Sequence, residues 1–299
     1  MKPSIIVHGG AGEWEPELLE SGRQGTYRAA QAGWAILAAG GSALDAVEAA
    51  VVVMEDDDAF DAGRGSFLNA DGQVELDAGF MDGEYLRVGA VAGVQFVQNP
   101  IRLARAVMEK SEHVFLVAGG AQRFAAKMGF RPCELTDLAV PREFERWQKH
   151  LRERSDQERR HRRGTSDTVG CVAMDQNGHV AAGTSTGGTA NKMPGRVGDV
   201  PMVGCGFYAD DRLGGSSSTG WGEAIAKILL ARLVLDCLKQ SCDPKQAARA
   251  AIQELEDRVG GDGGVILLSP DGLPGWYRNT PYMPLAYQTV GMPEPLVDV

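Results

Sequence analysis

The residues of this chain that could carry chemistry fail most of the usual spacing tests. His8-Gly-Gly-Ala-Gly12 follows the apolar run Ile5-Ile6-Val7 as a dinucleotide-binding turn would. A G-x-G-x-x-G pattern begun at Gly10 needs glycine at position 15, where Glu15 stands. No G-x-x-x-x-G-K-[ST] run exists. The histidines (His8, His113, His150, His161, His179) never pair at i, i+4, and the five cysteines form no C-x-x-C, so a zinc site is not expected. Gly183-Thr-Ser-Thr-Gly187 matches the G-x-S-x-G elbow of α/β-hydrolases, but that triad needs a histidine after the serine. The last histidine, His179, precedes it, so the match is accidental.

A nucleophile that carries its own base remains. An N-terminal threonine is one, because its α-amine titrates near neutrality and can take the proton of its own hydroxyl. Backbone cleavage must expose it. Lys149 to Arg163 holds seven basic and three acidic residues and almost nothing apolar, which predicts an exposed, mobile linker over about 149–167. It ends at Gly164-Thr-Ser-Asp167, and Thr168 opens the strand-like Thr168-Val-Gly-Cys-Val-Ala173. Thr168 has two readings here: a strand residue, since threonine favours strands, or a nucleophile freed by cleavage.

Elements on both sides must position such a group. Ser4 to Val7 predicts a strand, Thr26 to Ala39 a helix, and Ser42 caps a second helix to about Met54. Arg64 to Asp77 reads as a hairpin turning at Asp71-Gly72, and Val88 to Phe96 as a strand. Asn99 to Met108 and Ala118 to Lys127 read as helices. Beyond Thr168, strands at Val169–Met174 and His179–Thr184 flank an Asn177-Gly178 turn, and Pro201 to Tyr208 is a further strand. Helices over Gly222–Leu238 and Pro244–Val259 precede strands at Gly264–Leu268 and Trp276–Arg278. Helices and hairpins in both halves favour layered α+β with antiparallel pairing.

Composition excludes several classes. A net charge of −10 and a pI of about 5.1 argue against nucleic-acid partners. The richest apolar stretch, Ala224 to Leu238, is broken by Lys227, Arg232 and Asp236, so no membrane partner is expected. Ile5-Ile6-Val7 is far short of a signal-peptide core, and five scattered cysteines suit a reducing compartment; the expectation is a cytoplasmic protein. Glycine occurs 39 times, thirteen of them between Gly170 and Gly222, which points to tight turns or a site lined by main chain.

Several segments, in order and over most of the chain, resemble the isoaspartyl peptidase/L-asparaginase (plant-type asparaginase) family of N-terminal-nucleophile hydrolases. They are His8-Gly-Gly-Ala-Gly12, Phe60-Asp-Ala-Gly-Arg-Gly-Ser66, Glu75-Leu-Asp-Ala78 and Met81-Asp-Gly83. The most specific are Asp167-Thr-Val-Gly170, Thr184-Ser-Thr-Gly-Gly188, Asn191-Lys192, Gly195-Arg-Val-Gly-Asp199 and Ser218-Thr-Gly-Trp-Gly-Glu223.

The resemblance implies an α+β fold, a four-layer αββα sandwich of two antiparallel sheets flanked by helices. It implies one domain, 1–299, cleaving itself between Asp167 and Thr168 into chains of 167 and 132 residues, paired as a dimer of αβ heterodimers. Thr168 would attack the Asp167 carbonyl and then serve as nucleophile, with Thr186 donating a hydrogen bond to it. Arg196 would take the substrate α-carboxylate by a bidentate pair and Asp199 the α-ammonium. The Thr219 hydroxyl and Gly220 amide would form the oxyanion hole just before the helix near Gly222. Main-chain carbonyls of Met54, Glu55, Asp57, Phe60, Ala62 and Arg64 would hold a structural sodium or potassium ion, and no cofactor is required for chemistry. Asp61 departs from the asparagine usual in the family beside the nucleophile. The implied activity is hydrolysis of the L-asparagine side-chain amide and of β-aspartyl (isoaspartyl) peptide bonds, on a small molecule or dipeptide. A glycosylasparaginase, to which Asp167 lends some support, and an uncleaved non-catalytic homologue are the alternatives.

Overall fold

Alternating apolar residues make the strands, and here both faces of the alternation are buried. The structure, a computed structural model, describes residues 2–153 and 168–299. β1 (Ser4–His8) leads through the Gly-rich turn to α1 (Pro16–Ala38) and α2 (Ala43–Glu55). The hairpin β2 (Leu76–Asp82) and β3 (Arg87–Val94) follows, then α3 (Pro100–Lys110), β4 (Phe115–Val117), α4 (Ala118–Lys127), α5 (Leu135–Leu138) and α6 (Pro141–Glu153). The second stretch holds β5 (Val169–Met174), β6 (Val180–Thr186), β7 (Phe207–Asp210), β8 (Gly214–Gly220), α7 (Gly222–Ile228), α8 (Leu230–Ser241) and α9 (Pro244–Val259). It ends with β9 (Gly263–Leu268), β10 (Pro274–Arg278), β11 (Leu285–Thr289) and β12 (Leu296–Asp298).

The strands form two sheets. The larger has the order β12-β11-β1-β5-β6-β2-β3-β4 and the smaller β10-β9-β8-β7. All pairings are antiparallel except the edge pair β3–β4. Ile5, Val7, Val169, Cys171 and Ala173 face α1 and α2 in one core, while Val265 and Leu267 face α7–α9 in a second. The alternate residues Ile6, Val172, Met174, Ile266 and Leu268 meet in a third core between the sheets. The fold is therefore the expected layered sandwich. By the same alternation Thr168, one residue before Val169, lies on the inter-sheet face.

Local departures have local causes. α1 starts at Pro16, ten residues before the expected Thr26, because Pro at the first helical position sets the backbone for a helix. The expected Arg64–Asp77 hairpin is a loop leading into β2; the Asn69 side chain accepts from the Asp71 and Gln73 N–H groups and closes the turn without a ladder. Only Phe207 and Tyr208 of the Pro201–Tyr208 run are strand. The Gly222–Leu238 helix breaks at Leu229, which is left-handed with φ +56°. The Ala231 and Arg232 N–H groups there donate to the Cys205 and Gly204 carbonyls. Residues 149–153 of the expected flexible linker are the last turn of α6, and the rest of it, with Asp167, lies outside the described residues.

Candidate active site

The β5–β6 register pairs Val169 with Ser185 and so sets Thr168 level with Thr186. The Thr168 and Thr186 hydroxyl oxygens are 3.4 Å apart, and Thr168 is buried. Thr186 Oγ1 also lies 3.4 Å from Asp61 Oδ2 and accepts from Gly188 N at 2.9 Å. Asp61 is buried, and its other oxygen accepts from Phe67 N at 2.8 Å. Gly187 closes over this group: its N–H donates to the Asp61 carbonyl, and a Cβ there would stand 2.3 Å from Asp61 Oδ1. The loop after α2 thus delivers Asp61 to the end of β6.

The facing sheet supplies the second wall. His8 Nε2 and Ser217 Oγ are 2.8 Å apart across the sheets, bridging β1 and β8 over Gly170. Burial pushes the His8 imidazole down to about 3, against an upward pull from the Thr168 main chain, so the ring is neutral at ordinary pH. Two residues on, Thr219 Oγ1 accepts from Ala11 N at 3.1 Å, leaving the Thr219 hydroxyl proton free to donate elsewhere. Gly220 ends β8 at φ +136°, a conformation open only to glycine, opposite Gly263. β8 joins α7 at this point, and α7 starts at Gly222 as the sequence predicted.

Arg196 and Asp199 come together around Gly222. A Cβ on Gly222 would lie 2.8 Å from Asp199 Oδ1 and 3.0 Å from an Arg196 guanidinium nitrogen. They do not pair with each other directly. Arg196 forks onto Glu223 instead, Nε to Oε1 at 2.9 Å and Nη2 to Oε2 at 3.0 Å. Burial would raise the Glu223 carboxyl, but Arg196, together with bonds from its own main chain and Trp221, holds it below its ordinary value. Asp199 is buried, with Oδ2 lacking a hydrogen-bond partner. Burial pushes its carboxyl up to about 7, although its own main-chain N–H and the Arg196 charge pull it down. A buried carboxyl oxygen without a donor beside a fork-shaped cation suits a ligand that carries both an ammonium and a carboxylate.

The loop after α2 can be tested for the alkali ion. Its glycines bring main-chain oxygens together: a Cβ on Gly63 would lie 2.5 Å from the Glu55 carbonyl, and one on Gly65 2.5 Å from that of Phe60. Both have positive φ. Glu55, Asp57 and Met54 carbonyls already accept N–H groups of Arg64, Phe60 and Asp57, each with a second lone pair to spare. Hard main-chain oxygen donors of this kind suit a sodium or potassium ion.

Sequence reasoning missed three features. The Arg196–Glu223 fork spans 27 residues, and separation along the chain gives it no signal. The His8–Ser217 bridge spans 209. The third lies beneath the turn that bears Arg196: buried Lys192 donates to the Glu75 carbonyl at 2.8 Å, and the Glu75 carboxylate accepts from Gly195 N at 3.0 Å. These bonds tie the Arg196 turn to β2.

Comparison with known proteins agrees with this geometry. The family model described as Asparaginase matches residues 1–294. The chain is 47% identical over 277 residues to an isoaspartyl peptidase/L-asparaginase of Xenopus laevis, covering 91% of this chain and 87% of that protein. It is 48% identical over 273 residues to the Homo sapiens protein of the same name, with 91% and 88% covered. A plant-type L-asparaginase of Pyrococcus abyssi is 42% identical over 306 residues, 98% of each chain. Matched over nearly its whole length by the family model and by relatives in vertebrates and an archaeon, the chain belongs to the asparaginase family.

Proposed function

We propose that this chain hydrolyses the side-chain amide of L-asparagine and the β-aspartyl bond of isoaspartyl peptides, after cleaving itself before Thr168. The names of its relatives support the substrate class. The observation that carries the reading is Thr168 at the mouth of β5, buried on the inter-sheet face beside Thr186 and opposite the strand that bears Thr219.

In the precursor the Thr168 hydroxyl attacks the Asp167 carbonyl. The peptide bond becomes an ester to Oγ, and water opens the ester, freeing the Thr168 amine. In the mature enzyme Arg196 takes the substrate α-carboxylate and Asp199 its α-ammonium, which places the side-chain carbonyl one carbon further on. The Thr168 amine accepts the hydroxyl proton as Oγ adds to that carbonyl. The Thr219 hydroxyl and the Gly220 amide donate to the developing oxyanion. Collapse breaks the C–N bond, and the proton held by the amine leaves with ammonia or the peptide amine. Water, deprotonated by the same amine, adds to the ester carbonyl; collapse breaks the C–Oγ bond, the amine returns its proton to Thr168 Oγ, and aspartate leaves.

Main-chain oxygens of the loop from Met54 to Arg64 would hold an alkali ion, which would fix the loop that carries Asp61. The mature protein assembles as a dimer of αβ heterodimers. Its place is the cytoplasm, in keeping with five free cysteines, of which Cys171 and Cys205 are buried. No helix among the described residues is long and apolar enough to cross a membrane.

The test is a side-by-side assay of L-asparagine, a β-aspartyl dipeptide and an α-aspartyl dipeptide with wild type and Thr168→Ala. Wild type should release aspartate from the first two only, and Thr168→Ala from none. Release from the α-linked dipeptide, or undiminished activity in Thr168→Ala, would overturn the reading.

A further inference from the structure

The three oxygens Asp61 Oδ2, Thr186 Oγ1 and Thr168 Oγ1 form a chain, each 3.4 Å from the next. The Thr186 hydroxyl donates to Asp61 Oδ2. Its oxygen accepts from Gly188 N, and its second lone pair is left for the Thr168 hydroxyl. We infer that Asp61 is a positioning residue that turns the Thr186 hydroxyl away from Thr168, so that Thr186 accepts from the nucleophile instead of donating to it. The inference rests on the proposed reading of Thr168 as nucleophile.

The surroundings lock this polarity. Phe67 N holds Asp61 Oδ1 at 2.8 Å, and the Gly187 main chain packs against the same oxygen, so the carboxylate has one orientation. The second oxygen faces the Thr186 hydroxyl at 3.4 Å. The consequence falls on the step in which negative charge gathers at Thr168 Oγ1, as its ester is broken by water. An oxygen that receives a hydrogen bond at that moment is stabilised; here the Thr186 proton points the other way, toward the Asp61 carboxyl.

An asparagine at position 61 would reverse the chain. Its amide oxygen would keep the bond from Phe67 N, since the alternative sets two donors against each other. Its NH2 group would then face Thr186 and donate to it, which frees the Thr186 proton to turn to Thr168. The gain is one hydrogen bond to the charged oxygen, about tenfold in rate for a bond of ordinary strength.

The experiment measures kcat and KM for L-asparagine in wild type, Asp61→Asn and Asp61→Ala, each counted per cleaved chain by intact mass. Asp61→Asn should raise kcat about tenfold with KM within about twofold, because Arg196 and Asp199 are untouched. Asp61→Ala also releases the Thr186 proton, so its kcat per cleaved chain rises in the same sense. A merely structural Asp61 would give kcat unchanged or lower in both, and that result overturns the inference. So does an Asp61→Asn protein that keeps the wild-type melting midpoint but no longer cleaves, since the carboxylate would then do more than orient a hydroxyl. A wild type that neither cleaves nor releases ammonia would instead strike the nucleophile assignment, and this inference would fall with it.

Discussion

Replacing Asp199 by asparagine should make the protein more stable at alkaline pH and nearly inactive. The carboxyl is fully buried, one of its oxygens lacks a donor, and burial moves it from an ordinary 3.8 to about 7. A folded-state value above the unfolded one means that the native protein binds the proton more tightly than the unfolded chain does. The resulting stability is complete below about pH 4 and is lost as pH rises through about 7. Above that, the native state carries a poorly compensated buried charge. A shift of about three pH units corresponds to roughly 4 kcal/mol, an upper bound for what a neutral isostere recovers. At roughly 2 °C per kcal/mol for a domain of this size, Asp199→Asn should melt several degrees higher than the parent at pH 8.5 and almost with it at pH 4.5. The melts belong in a Thr168→Ala background, so that cleavage does not differ between samples. Activity moves the other way. Loss of the carboxylate proposed to hold the substrate ammonium should lower kcat/KM by about 100-fold or more. Equal midpoints at pH 8.5, or a variant less stable there, would refute the reasoning about Asp199.

Three further outcomes follow from the same geometry. Arg196→Ala should raise KM for asparagine by about 30- to 100-fold, the loss of a forked charge-assisted pair, while self-cleavage proceeds; an unchanged KM in steady-state assays would count against the role of Arg196. Gly170→Ala should lower stability by about 2–3 kcal/mol in urea unfolding, because its Cβ would meet Ser217 Oγ at 2.1 Å and His8 Nε2 at 2.4 Å and force the sheets apart. Wild-type kcat/KM should fall as pH drops below about 7, since a protonated Asp199 cannot pair with an ammonium; a pH–rate profile flat down to pH 5 would contradict this.

Much of this was legible in the sequence where periodicity and caps act locally. α4 and α9 begin and end where expected, and Ser42 caps α2 through the Asp45 N–H. β8 was not legible. Gly-Gly-Ser-Ser-Ser-Thr-Gly shows no apolar alternation, yet it is a buried central strand. Its hydroxyls find partners that only the tertiary fold supplies: Ser217 on His8, and Ser218 on the Cys205 carbonyl at 2.6 Å. The Arg64–Asp77 segment misled in the opposite sense. Phe67, Leu68 and Val74 are buried as strand residues would be, but in a loop whose main chain bonds the 191–192 turn. In the site, motif order marked Thr168, Thr186, Arg196, Asp199 and Thr219, whereas the Arg196 fork went to Glu223, because adjacency along the chain is no measure of side-chain reach.

The central claim is that Thr168 becomes a free N-terminus. Intact mass of freshly purified protein, and again after prolonged incubation beside Thr168→Ala, tests it directly. Wild type should resolve into chains of 167 and 132 residues while the variant stays whole. A wild type that remains a single 299-residue chain under every condition would contradict the account, because no threonine amine would exist to act as base.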